Sequence, residues 1–188
     1  MAELPELHAR SLEVTRAYVA GVAPTQWGDP TPDDEWDVRF LVNHVVTGNL
    51  WAAELGAGAT IESVGDRLDG DGLGADPGAA SDTSSVVAAA VFREPGAMER
   101  PCAVSYGPVP GEVYCGHRFI DVLVHGWDVA MATGQDPRLP EDLVLACIDV
   151  VEPQAEMLAA SGAFGTDVIV GADAAPQTRL LAMLGRRG

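Results

Sequence analysis

Basic residues are scarce in this chain: 11 lysines and arginines stand against 28 aspartates and glutamates, for a formal net charge of −17 over 188 residues. Such a surface repels phosphate backbones, which excludes nucleic acid as an expected partner. Cysteine is rarer still. Cys102, Cys115 and Cys147 are odd in number and lack CxxC spacing, so neither a disulfide framework nor a zinc site built of thiolates is expected, and each reads as a buried or idle thiol. The chain also lacks an apolar run of the roughly eighteen residues that would cross a bilayer. Its opening, MAELPELHARSLEV, is acidic and amphipathic where a secretory leader would be basic and then apolar, so a cytoplasmic protein without a membrane span is expected. No internal repeat and no linker composition interrupts the chain. With 47% hydrophobic residues it can bury one core, and a single domain over 1–188 is expected.

What is present is helical periodicity. Leu4, Leu7, Leu12, Val14 and Val19 predict a first helix from Glu3 to about Ala20, stopped by Gly21 and Pro24, with His8 read as a solvated surface residue. The prolines and aspartates between Pro24 and Glu35 predict a rigid connection. Asp37 can cap a second helix whose apolar face runs from Val38 through Leu41, Val45 and Leu50 to Trp51 and which ends near Gly56 to Gly58. The Gly- and Asp-rich stretch 59–82 lacks the glutamate a calcium loop needs and reads as a flexible acidic loop. A third helix is expected from Ala75 or Ser81 to Glu94, an extended excursion or short hairpin between Gly96 and Gly111, and a long helix from Gly111 to Thr133. A fifth carries Leu143, Cys147 and Val151, is kinked or restarted by Pro153, and precedes a tail that begins extended and ends in a brief amphipathic turn. Trp51 and Trp127 read as core residues. Arg39 and Arg118 read as surface ion pairs, with contact to an anionic substrate as the alternative.

The long helix, EVYCGHRFIDVLVHGWDVAMA, carries the chemistry. Asp121 and His125 are four residues apart, which leaves their side chains about 40° apart and one turn along the axis. One helix offers an ion only two groups at this spacing, so a third ligand must come from another element. His44, in LVNHVV, is the candidate, its alternative being a neutral core histidine with one hydrogen bond. Two imidazoles and a carboxylate leave an open coordination position, the arrangement of catalytic zinc. His117 extends the pattern to HxxxDxxxH, but it lies about 12 Å along the axis from His125 and cannot share the ion; it reads as a wall residue of the site or a helix-surface residue. Asp128 can orient the His125 imidazole through its other nitrogen, or be a solvated or capping residue.

The blocks EWDVRFLVNHVVTGNLWAAELGAG and RFIDVLVHGWDVAMATGQDP resemble the two motif blocks of the DinB-like superfamily, in its actinobacterial branch, which is similar to the N-terminal domain of mycothiol-dependent maleylpyruvate isomerase. The tail SGAFGTDVIVGADAAPQTRLLAMLGRRG resembles the ending of short stand-alone members. The resemblance implies an all-α fold, a four-helix bundle with an additional C-terminal helix and a short extended segment or hairpin, holding a divalent metal near one end of its core. It places the ligands on His44, Asp121 and His125. Asp121 stands where the isomerase-type site uses glutamate, Asp33 stands where a cysteine often follows the T-P of the preceding loop, and a chain of this length is expected to lack the isomerase's separate C-terminal domain.

The function implied is that of a metal-dependent thiol S-transferase or isomerase acting on a small electrophile, the metal activating the thiolate, with mycothiol as co-substrate. Zinc is the first choice, with nickel or iron(II) next. The expected partners are a small-molecule substrate and a low-molecular-weight thiol, and a homodimer is left open. Two alternatives stay in view: a non-catalytic metal-binding bundle or stress-associated module, and a metal hydrolase or hydro-lyase that needs no thiol.

Overall fold

Side-chain caps start three of the helices, and the one at Asp37 stands where the sequence places it. The structure, a computed structural model, describes residues 3–33, 35–161, 168–171 and 173–187. Helix α1 (Leu4–Ala20) has a proline in its first turn, where the missing N–H has no intrahelical role. Helix α2 (Val38–Gly56) begins at Asp37, whose carboxylate accepts from the Phe40 N–H at 2.8 Å. A four-residue helix α3 (Ile61–Val64) follows, held by a reciprocal Thr60–Ser63 capping box. Helix α4 (Pro77–Val91) is capped by Asp76, and strands β1 (Pro101–Val104) and β2 (Gly107–Pro110) pair antiparallel as a hairpin. Helix α5 (Gly111–Ala132) comes directly out of the hairpin.

The chain divides into two compact units, Met1–Pro137 and Arg138–Gly188. In the first, four helices pack in the cyclic order α1, α5, α2, α4. Helix α5 is buried nearly all round, with Phe119, Ile120, Leu123 and Trp127 almost wholly enclosed by the neighbouring helices. Each such side chain contributes about 1.5–3 kcal/mol through burial, so this helix is the spine of the bundle. Leu41, Val42, Val46 and Val129 form one part of the core, and Leu12, Leu55, Val91, Phe92 and Tyr114 another. Cys102, Cys115 and Cys147 are buried free thiols.

Three expectations are corrected. His8 is not solvated: it is fully buried, edge-on to Phe92 with ring centroids 5.3 Å apart. It continues the stripe of Leu4 and Leu12, one turn to either side, so the periodicity outweighs its polarity and its nearness to a terminus. The stretch 59–82 is not a bare loop, since it contains α3 and its far end is tied to α2. There Asn43 donates to the Gly70 carbonyl and accepts from the Gly72 N–H, Arg39 pairs with Asp71 at 2.7 Å, and Leu73 is buried. Arg118 is not a surface residue, for reasons given below.

In the second unit, helix α6 (Glu141–Val151) runs into a 3-10 turn, Glu152–Gln154, at Pro153, and the helix restarts as α7 (Ala155–Ser161). Helix α8 (Pro176–Met183) packs against α6, with Leu143, Cys147, Leu180 and Leu181 buried. Part of the extended course expected after Gly162 lies outside the described residues. Among the described residues the fold is all-α apart from one hairpin, with an additional C-terminal helix. Among the described residues, no helix is long and apolar enough to cross a membrane.

Candidate metal centre

The packing of α2 against α5 brings His44 to the Asp121–His125 pair from 77 residues away in sequence. His44 Nε2 lies 3.2 Å from Asp121 Oδ1, and His125 Nε2 lies 3.5 Å from the same oxygen. One donor atom from each residue falls within 4.8 Å of the other two. Donors bonded to one ion at about 2.0–2.2 Å stand a little over 3 Å apart in a tetrahedral arrangement, so the spacing suits a single divalent cation. Among the described residues this is the one His/Cys/Asp/Glu group so placed.

Each member is held by a partner. His125 is almost wholly buried and donates its Nδ1–H to Asp128 Oδ2 at 2.9 Å, which turns Nε2 toward Asp121. Asp128 is fully buried, so of its two sequence readings the orienting one matches where it sits. The second oxygen of Asp121 accepts from Arg118 Nη1 at 2.9 Å, while Arg118 Nη2 donates to Asn49 Oδ1 at 3.1 Å. Arg118 is only 7% exposed, which overturns its reading as a surface ion pair. Room for it comes from Gly48: a Cβ there would sit 2.5 Å from its guanidinium. Trp36 covers the imidazoles from outside, its ring 4.9 Å from that of His44 and 5.6 Å from that of His125.

Two further contacts fix α5. Thr15 of α1 donates to the Val122 carbonyl at 2.8 Å, and its side chain fills the space a Cβ on Gly126 would need, so the backbone beside each of the two α5 ligands sits tight against α1. His117 is turned elsewhere. Its Nδ1 shares a 2.6 Å hydrogen bond with the Tyr106 hydroxyl at the tip of the hairpin.

The charges follow from the geometry. Burial pushes the Asp121 carboxyl up, but the Arg118 guanidinium, and then His125, outweigh it and hold the group well below the usual carboxylate range. Burial works against a charged His125, yet Asp121 and then Asp128 raise it to about 9. In the form a metal needs, with both imidazoles neutral, two carboxylates against one guanidinium give the cluster one negative charge. A divalent cation would turn that into one positive charge.

Sequence reasoning did not assign Trp36, Gly48, Asn49 or a buried role for Arg118. The signals were local: Arg118 stands one turn before Asp121, and Gly48 and Asn49 one turn after His44.

The profile of the mycothiol maleylpyruvate isomerase N-terminal domain matches residues 8–130. The chain belongs to that family. The matched segment runs from within α1 to nearly the end of α5 and contains His44, Asp121, His125, Arg118 and Asp128. Two similar proteins of Mycobacterium tuberculosis, uncharacterized protein MT0763 of strain CDC 1551 / Oshkosh and uncharacterized protein Rv0738 of strain ATCC 25618 / H37Rv, are each 38% identical over 155 residues, covering 78% of this chain and 79% of theirs. No solved structure gives a significant match. Membership makes the all-α bundle one of the DinB-like kind and associates it with mycothiol.

Proposed function

We propose that this chain is a metal-dependent thiol transferase or isomerase that joins a low-molecular-weight thiol of the mycothiol type to a small electrophile. The observation that carries this reading is the convergence of His44, Asp121 and His125 on one point that stays reachable, since the His44 side chain keeps 36% of its surface exposed. A divalent cation, zinc first and nickel or iron(II) next, supplies when bound the positive charge that keeps a nearby thiol deprotonated at neutral pH.

The chain's own residues arrange for that chemistry. Asp128 holds the proton on His125 Nδ1, so Nε2 is offered as a donor. Arg118 occupies one oxygen of Asp121, so the carboxylate presents the other to the imidazoles. Its charge also leaves the loaded cluster net positive, which favours an approaching thiolate over a neutral thiol. Trp36 shields the imidazoles from water on its side. The thiolate sulfur then forms a bond to the electrophilic carbon, the thiol proton having passed to solvent. The leaving group departs or, in an isomerisation, the thiol is expelled again.

The test has two parts. Protein purified without chelator should carry close to one divalent ion per chain by elemental analysis, and His44→Ala and His125→Ala should lose it; retention in both variants defeats the ligand assignment. With 1-chloro-2,4-dinitrobenzene as electrophile, metal-loaded protein should accelerate loss of chloride only when mycothiol is present. An equal rate without thiol favours the hydrolase reading, and no acceleration with metal bound favours the non-catalytic bundle.

A further inference from the structure

A second opening lies along the same pair of helices. A cleft of about 350 Å³ is lined by Trp51 and Leu55 of α2, Ile61 of α3, Val104 and Tyr106 of the hairpin, and Tyr114 of α5. Its volume is at the small end of the range for small-molecule pockets. None of its lining residues is charged, in a chain whose formal net charge is −17. Three of them present aromatic rings, and the polar atoms on offer come from Ser105, the indole and two phenols. Both tyrosines stay un-ionised, because burial raises their hydroxyls, that of Tyr114 to about 12.

The cleft is not sealed as core would be. Tyr106 is 61% exposed and Ile61 40%, so two of the large apolar side chains left facing solvent meet at this one mouth. The ring of Tyr106 is held there by its hydrogen bond to His117, one turn before Asp121 on α5. Helix arithmetic relates the cleft to the metal centre. Trp51 is seven residues from His44 on α2, and Tyr114 is seven from Asp121 on α5. Seven residues return to nearly the same face about 10 Å along each axis.

We propose that this cleft, about 10 Å along α2 and α5 from His44, Asp121 and His125, binds the neutral aromatic body of a small molecule. That the molecule is the electrophile of the thiol transfer rests on the function proposed above; the binding itself does not. The substrate class is then an uncharged aromatic, its ring stacked among Trp51, Tyr106 and Tyr114. A carboxylate on that ring is disfavoured, because it would lie among apolar groups with no cation to meet it.

Calorimetric titration with 1-naphthol and 1-naphthoate tests this. The wild type should bind 1-naphthol, and 1-naphthoate at least about tenfold more weakly. Ile61→Glu, which sets a carboxylate at the exposed mouth, and Tyr106→Ala at the hairpin tip should each weaken 1-naphthol binding by at least about tenfold, with the helical circular dichroism signal intact. His44→Ala should bind 1-naphthol as the wild type does. The proposal is overturned by absence of 1-naphthol binding, by equal affinity for the anion, by wild-type binding in Ile61→Glu, or by loss of binding in His44→Ala. Naphthol binding by a wild type that carries no metal upholds the cleft and removes only its tie to thiol transfer.

Discussion

His8 and His125 are both buried to within a few per cent, on neighbouring helices of one bundle, and are pushed in opposite directions. His8 sits where α1 meets α4. Neither of its ring nitrogens has a hydrogen-bond partner, and burial, reinforced by the cations Arg118 and Arg93, lowers it to about 3. His125 sits where α5 faces α2, bracketed by Asp121 and Asp128, and is raised to about 9 against the same penalty of burial. Depth alone therefore does not decide what a buried imidazole does. One of the pair is an apolar wedge that happens to contain nitrogen. The other is aimed at a point in space, which is what a ligand requires.

Breaking the second environment should give the largest effect. Asp121→Ala leaves the Arg118 guanidinium buried with Asn49 as its remaining side-chain partner, and should lower unfolding free energy by roughly 3 kcal/mol in urea denaturation. A change within a few tenths would mean that the pair is solvated and the cluster less enclosed than described. Next is Asp128→Ala, which frees the His125 ring to turn. Metal affinity, measured by competition with a chromophoric chelator, should fall about 10- to 100-fold while the ligand set stays intact.

The smallest effect sharpens the comparison from the His8 side. Its folded-state value, about 3, lies below its ordinary 6.5, so between those values the unfolded chain binds the extra proton. Stability is then complete above about pH 6.5 and falls as pH drops toward 3, by up to about 1.4 kcal/mol per pH unit. Urea midpoints near pH 7 and pH 5 should therefore differ more for the wild type than for His8→Leu. Equal pH dependence in the two proteins would show that a hidden partner satisfies the ring.

The same contrast marks what could be read without coordinates. Helix limits were legible where they rest on local chemistry: the Asp37 cap, the start of α5 at Gly111 and the restart at Pro153 each involve residues within about a turn. Helix α3 escaped because four residues carry too little periodicity to stand out from a Gly- and Asp-rich stretch. The Asp121–His125 pair was legible from i,i+4 spacing, whereas adding His44 depended on α2 packing against α5 across 77 residues of sequence. Arg118 and His8 were misread for one reason. Residue type suggested exposure, while position on the helix, which repeats every three or four residues, had already assigned each to an inward stripe.

The missing side chain at Gly48 has a consequence for how the two ligand-bearing helices are aligned. The guanidinium of Arg118 lies across bare backbone at that one position of α2, with Thr47 before it and Asn49 after it. Sliding or turning α2 by a single residue would bring a Cβ onto the guanidinium and carry Asn49 away from it. Gly48 and Arg118 thus act as notch and key for the register between α2 and α5, and that register is what puts an imidazole from one helix opposite a carboxylate from the other.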